Sequence, residues 1–478
     1  MSPVFDTKYD FVIFFSKNRQ IPSKKRARLT DGASYSKIDP TIFMKKPRRK
    51  MNMNPRIALL RSFLDGSVSV YHAQAQVVDA LEKAGYTRLR EQDAWTLVPG
   101  GAYYVARGGT AVMAFRIPET EPQGFAMGAA HSDRPCFKVK ENLELTGPYT
   151  RIAVEGYGGM IMNTWLDRPL SVAGRVIVET EHGVENRLVH IDRDLLLIPN
   201  VAIHMNRQCN DGYSWNPAVD LLPLAGGKDA AGKFKALLEE AAGGKILGHD
   251  LYLYVRQKST VWGLEEEYLS SAALDDLECV WAALQGFLTA KTGGSIPVLC
   301  VFDSEEVGSC SAQGAASQFL EGTLGRICKA LDLEPGRMYS QSFMVSADNG
   351  HALHPNHPEL SDAATAPSLG GGVVIKYNAQ LSYSTDGFSA GIFRRICEKA
   401  GVPVQCFYNR ADLRGGSTLG HISLAHVSVP TVDIGLAQLA MHASFETGSC
   451  RDAEYLADAM EAYFSTTFLA TDKGFDLK

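Results

Sequence analysis

Nine cysteines occur in the 478-residue sequence without a single Cys-x-x-Cys spacing. An odd count lacking that spacing argues against a disulfide scaffold and against an all-cysteine structural zinc site, and it fits a reducing, cytoplasmic compartment. No apolar run approaches the roughly 18–20 residues that a membrane-spanning helix needs, so an integral membrane protein is not expected. There is no internal repeat. There is no His-Glu-x-x-His either, which removes the helix-borne zinc site of one large protease class. A serine-hydrolase reading is set aside as well. Charged residues reach only 21% against 45% hydrophobic, a balance that excludes a disordered chain and allows two or three domains.

Basic charge is also scarce, except at one end. Residues 1–50 hold 13 Lys/Arg against 4 Asp/Glu, while the rest of the chain holds 35 against 49. Blocks such as Lys24-Lys25-Arg26-Ala27-Arg28 can bind nucleic acid or serve as address signals. The plainer expectation is a disordered leader, or translated sequence ahead of a start at Met51 or Met53. The acidic remainder offers no broad surface for phosphates, so no nucleic-acid partner is expected.

From residue 56 on, ordered elements are readable. Apolar spacing of three and four predicts helix across Arg56–Gly85, and the glycine-punctuated run after Tyr103 predicts strands. Residues 137–262 are strand-rich, interrupted by a polar Gly/Ala stretch near 225–245. Beyond about 262, helix alternates with strand, as in "LDDLECVWAALQGFLTAK" followed by "PVLCVFDSEE". The expected fold is α/β: a three-layer α/β/α domain from 51–136 and 263–478, with an inserted β-rich dimerisation domain at 137–262. Gly227 to Lys233 imitates a phosphate-binding loop, but Phe234 stands where a hydroxyl is needed.

Acids and histidines gather at the ends of apolar runs. His131 and Asp133 lie in "AAHSDRP", Asp275 and Asp276 in "AALDDLE", and Asp303, Glu305 and Glu306 in "VFDSEEVGS". Asp348, His351, His354 and His357 lie in "VSADNGHALHPNH", and His442 in "QLAMHAS". Carboxylates and imidazoles are ligands for zinc-like ions, and strand C-termini of open α/β sheets are where such proteins place ligand sites.

In this order "AHSDRPCFKVK", "LDDL", "FDSEEVGSCSAQGA", "SADNGHALHPNHPE", "GGSTLG" and "PTVDIGLAQLAMHASFET" resemble the aspartyl aminopeptidase family, dinuclear zinc exopeptidases that commonly form tetrahedral dodecamers. The resemblance runs from about residue 56 to the C-terminus. It implies peptide substrates and two divalent metal ions, zinc first, with cobalt or manganese as alternatives. It makes His131 and Asp348 ligands of one ion, Asp275 the bridge, and Glu306 and His442 ligands of the other. Glu305 becomes the general base, and Asp133 orients His131. His204 matches a histidine supplied from a neighbouring subunit, and Lys376 a lysine near the substrate, where it could pair with an acidic side chain. His351, His354 and His357 are expected to pack loops or line the pocket. The sequence departs from the family at Ala272-Ala273, where Pro-Arg is usual. Two rival readings share the fold: a deacylase of small amides, and a scaffold without catalysis.

Overall fold

The computed structural model describes residues 54–413 and 415–478. The basic leader at 1–50 lies outside the described residues. Among them, no helix is long and apolar enough to cross a membrane.

A nine-stranded mixed sheet organises the chain. Its middle is three neighbouring parallel strands, Ile296–Phe302, Phe125–His131 and Phe343–Ala347, with Thr431–Gly435 parallel to the last. These strands read as nearly continuous apolar runs because both faces are covered. In Ile296–Phe302, Leu299 and Val301 enter one core while Val298, Cys300 and Phe302 enter the other. Helices Pro55–Gly66, Val70–Lys83, Leu274–Thr289 and Cys450–Phe464 contribute to the first core, and helix Phe319–Ala330 to the second. Gly128 is required on the first face, since a Cβ there would meet the Phe464 ring at 2.5 Å.

A second sheet of six antiparallel strands is drawn from residues 136–255, with Leu170–Thr180, Ile246–Val255 and Cys136–Leu145 at its centre. It has its own core, which includes Phe137, Trp165, Leu170, Leu251 and Phe234.

The structure differs from the sequence reading in two places. The helix expected over Arg56–Gly85 is two helices, broken at Ser67–Ser69, where Arg134 donates to the carbonyls of Ser67 and Val68. The polar stretch near 225–245 holds a helix, Lys233–Ala242, whose apolar side (Phe234, Leu238, Ala242) is buried. At the start of that helix the Glu144 carboxylate accepts from the N–H groups of Gly232 and Phe234, at 2.6 and 2.9 Å. The position a phosphate would take is thus filled by a side chain.

Candidate metal centre

The fold brings distant segments to one end of the parallel strands. His131 is the last residue of its strand and pairs in register with Phe302, so the turn carrying Asp303 to Glu306 leaves the sheet beside it. Asp348 follows the next strand, Phe343–Ala347. Asp275 sits at the start of helix Leu274–Thr289, and His442 in the loop between Ala437–Gln438 and Glu446–Ser449.

The side chains meet. His131 Nε2 is 3.8 Å from Asp275 Oδ1 and 4.0 Å from Glu305 Oε2. His442 Nε2 is 3.3 Å from Asp275 Oδ2 and 3.4 Å from Glu306 Oε2. Asp275 therefore stands between the two imidazoles. Two groups of potential ligand atoms lie within 4.8 Å of one another: His131, Glu305 and Asp348, and His131, Asp275 and Glu306.

This donor set fits divalent ions of the zinc type. Asp275 Oδ1 and Glu306 Oε1 are buried without a hydrogen-bond partner. Such oxygens are costly unless a cation or a proton satisfies them. Burial pushes Glu305 up to about 7, and burial together with the Asp275 charge raises Glu306. Burial opposes protonation of His131, yet Asp133, Asp276 and Glu305 around it raise its pKa. For Asp275, burial is outweighed by His442 and His131, which hold it low.

Asp133 is the hub beneath the first group. Its Oδ1 lies 3.4 Å from His131 Nδ1 and accepts from Glu305 N at 3.1 Å. Its Oδ2 accepts from Glu306 N at 3.2 Å and from the Tyr157 hydroxyl at 2.8 Å. His131 Nδ1 is hydrogen-bonded to the Asp133 carbonyl oxygen at 3.2 Å, so the main chain of Asp133 holds the ring while its carboxylate holds the backbone of both adjacent glutamates. Tyr157, which the sequence reading did not single out, reaches the hub from the six-stranded sheet.

Lys376 is buried, donating to Asp348 Oδ1 and to the Asn349 carbonyl, both at 3.1 Å, with the Tyr383 ring 5.2 Å away. His204 is exposed in the loop before Pro217–Asp220 and enters neither ligand group. His357 pairs with Glu359, His354 packs on His357, and the His351 ring meets Phe407 edge-on; none of the three enters the ligand groups. Asp276 is fully buried and accepts from His131 N through Oδ2.

The serine-hydrolase reading is set aside for want of a nucleophile elbow, but Gly387-Phe388-Ser389-Ala390-Gly391 does have that form. Here the serine belongs to a capping box with Asp386 at the start of helix Gly387–Ala400 and is 1% exposed. It is a helix cap, not a nucleophile.

With the geometry in place, the comparisons with known proteins agree. A family profile described as "Aminopeptidase I zinc metalloprotease (M18)" matches residues 63–464. The "Probable M18 family aminopeptidase 2" of Clostridium novyi is 40% identical over 422 residues, covering 85% of this chain and 98% of that protein. Among solved structures, the Ape4 and Nbr1 complex superposes with a TM-score of 0.83 at 32% identity, covering 86% of this chain and 85% of that one. The mApe1 structure of Chaetomium thermophilum gives 0.77 at 29% identity, covering 86% and 96%.

Proposed function

The chain belongs to the M18 family of zinc metallopeptidases, and from that premise we propose that it removes N-terminal residues, Asp and Glu preferred, from peptides with the help of two divalent ions. That it is a metal-dependent aminopeptidase follows from the family. The finer reading rests on one observation: six acids and imidazoles, carried by strand ends, a helix start and a loop, converge in one place, with buried carboxylate oxygens left unpaired among them.

In this reading His131 and Asp348 would hold one ion and Glu306 and His442 the other, with Asp275 available to both. Zinc is the first candidate, and a carboxylate-rich set also accepts cobalt or manganese. When bound, such ions supply Lewis acidity and bring the pKa of water towards neutral. Glu305 is the general base. A carboxyl raised to about 7 takes a proton from the attacking water and returns it to the leaving amine. Asp133 keeps Glu305 and the His131 ring in place through the contacts above.

Lys376 uses two of its three N–H groups within the chain. We assign the third to an acidic substrate side chain. His204 is assigned to the pocket of a neighbouring subunit, with residues 137–262 as the oligomerisation domain and a dodecamer as the expected assembly. Its exposure and its absence from the ligand groups of its own chain support that reading.

The test is a panel of aminoacyl-p-nitroanilides (Asp, Glu, Leu, Lys) with and without Zn²⁺, Mn²⁺ or Co²⁺, beside Glu305→Gln. Metal-dependent release that Glu305→Gln abolishes is expected, with Asp or Glu the best substrates. Release unaffected by the variant would overturn the assignment of the base. Best release from Leu or Lys would overturn the acidic preference.

A further inference from the structure

We infer that Glu446 is a positioning residue that sets the distance between Asp275 and His442, and so governs the affinity of the ion these two share. The inference rests on the two-ion reading above.

Glu446 is 2% exposed and heads the short strand Glu446–Ser449. Its two oxygens accept from two backbone N–H groups: Oε2 from Asp275 at 3.1 Å, and Oε1 from His442 at 2.7 Å. One side chain therefore joins the backbones of two candidate ligands that arrive from opposite parts of the sequence. The side chains of those ligands are themselves only 3.3 Å apart.

Both joined segments are held in conformations that local sequence does not favour. Ala273, two residues before Asp275, has φ of +59°, and Ala440 and His442 have +57° and +67°. Non-glycine residues in this region persist where surrounding contacts over-determine them. The His442 loop is pinned elsewhere too: Ile161 N donates to His442 O at 3.0 Å, and Ser444 Oγ to Thr164 O at 2.6 Å. Asn349, which donates to Leu274 O and Gln438 Oε1, and the pairing of Ser271 with Glu446 brace the neighbouring residues, while the Glu446 side chain bonds the backbones of both candidate ligands directly. A glutamine keeps the shape but offers a single acceptor oxygen. Its amide would present N–H to one of the two N–H groups, so one tie is lost. Aspartate keeps the charge but is one methylene too short to span both.

The experiment is Zn²⁺ titration of metal-stripped full-length protein against a chromophoric chelator, with the Co²⁺ d–d spectrum as a second readout, for wild type, Glu446→Gln and Glu446→Asp. The expected result is one ion bound about 10- to 100-fold more weakly in both variants, the usual effect of disturbing an outer-shell partner. The other ion, which keeps His131 and Asp348 beside Asp275, should weaken less, the Co²⁺ spectrum should change, and the melting of the stripped protein should be preserved. Two ions bound by Glu446→Gln with wild-type affinities would overturn the inference alone. So would both affinities falling together with a lower melting temperature, the mark of a general structural defect. A wild type that holds fewer than two ions would overturn the two-ion reading, and the inference with it.

Discussion

The Tyr157 hydroxyl makes a clean perturbation, because Tyr157→Phe removes one oxygen and leaves the ring. That ring packs edge-on against Tyr252 at 5.8 Å, a contact phenylalanine keeps. The loss is one hydrogen bond, 2.8 Å long, to Asp133 Oδ2. A bond to a charged acceptor contributes about 1.5–3 kcal/mol. The low end applies, since Oδ2 still accepts from Glu306 N at 3.2 Å. If the loss falls on the transition state, about 1.5 kcal/mol is about a tenfold drop in kcat. Asp133→Asn must cost more. One amide cannot accept from both Glu305 N and Glu306 N while facing His131, so about 3 kcal/mol, or two orders of magnitude, is expected. Because both changes act through one carboxylate, the double variant should lose clearly less than the sum of the single losses. Steady-state kcat and KM on the best p-nitroanilide, with melting temperature as a control, decide the matter. A Tyr157→Phe rate within twofold of wild type, or a strictly additive cycle, would refute the view that Asp133 is the hub.

Two further outcomes follow from the charges and from the exposed loop. In metal-stripped protein, burial raises Glu305 to about 7, Glu446 to about 8 and Asp452 to about 6, and His131 and His442 are raised by their acidic neighbours although burial opposes this. The folded chain then keeps protons that the unfolded chain has released, so this stability is present at low pH and is lost as pH rises through those values; Asp275, held low, runs the other way and is outnumbered. The melting temperature of stripped protein should therefore fall between about pH 5.5 and about pH 8.5, and a flat or rising curve by scanning fluorimetry would contradict the assignment. If His204 completes a neighbour's pocket, His204→Ala and Glu305→Gln subunits, each weak alone, should regain part of the activity when dissociated and reassembled together. A fully active His204→Ala protein would rule that role out.

Much of this was legible in the sequence because the informative residues sit at the ends of apolar runs. "GFAMGAAHSD" and "IPVLCVFDSEE" read directly as buried strands that deliver polar residues, and the two strands are neighbours with His131 opposite Phe302. Periodicity had less to say where one helical pattern is broken by tertiary bonds, as at Ser67–Ser69, where the Arg134 guanidinium claims the carbonyls. The supporting carboxylate and phenol were invisible for a different reason. Glu446 in "ASFETG" and Tyr157 at a strand end have no local signature, and their roles come only from bonds to residues far along the chain. Ser389 shows the converse: its spacing imitates a nucleophile, and only its capping bonds reveal the helix start.

The arrangement of charge explains why these supports are needed. Asp133, Asp275, Asp276, Asp348 and Glu446 are all buried, and Glu305 and Glu306 lie partly so beside them. Among the described residues, Lys376 is the one lysine or arginine that forms an ion pair with any of these acids. Uncompensated buried charge costs several kcal/mol per group, so the cluster must take up protons or cations. Divalent ions are the economical answer, since each cancels two charges and satisfies several oxygens at once. That answer works only if the carboxylates are kept from collapsing onto the histidines or turning outwards to water. Asp133 and Glu446 meet that requirement from two sides, each by accepting main-chain N–H groups of residues whose side chains form the cluster. Neither has to be a ligand. By holding backbones, they leave the oxygens of Asp275, Glu305 and Glu306 free for chemistry, which is why changing either carboxylate should alter metal affinity or turnover before it alters the fold.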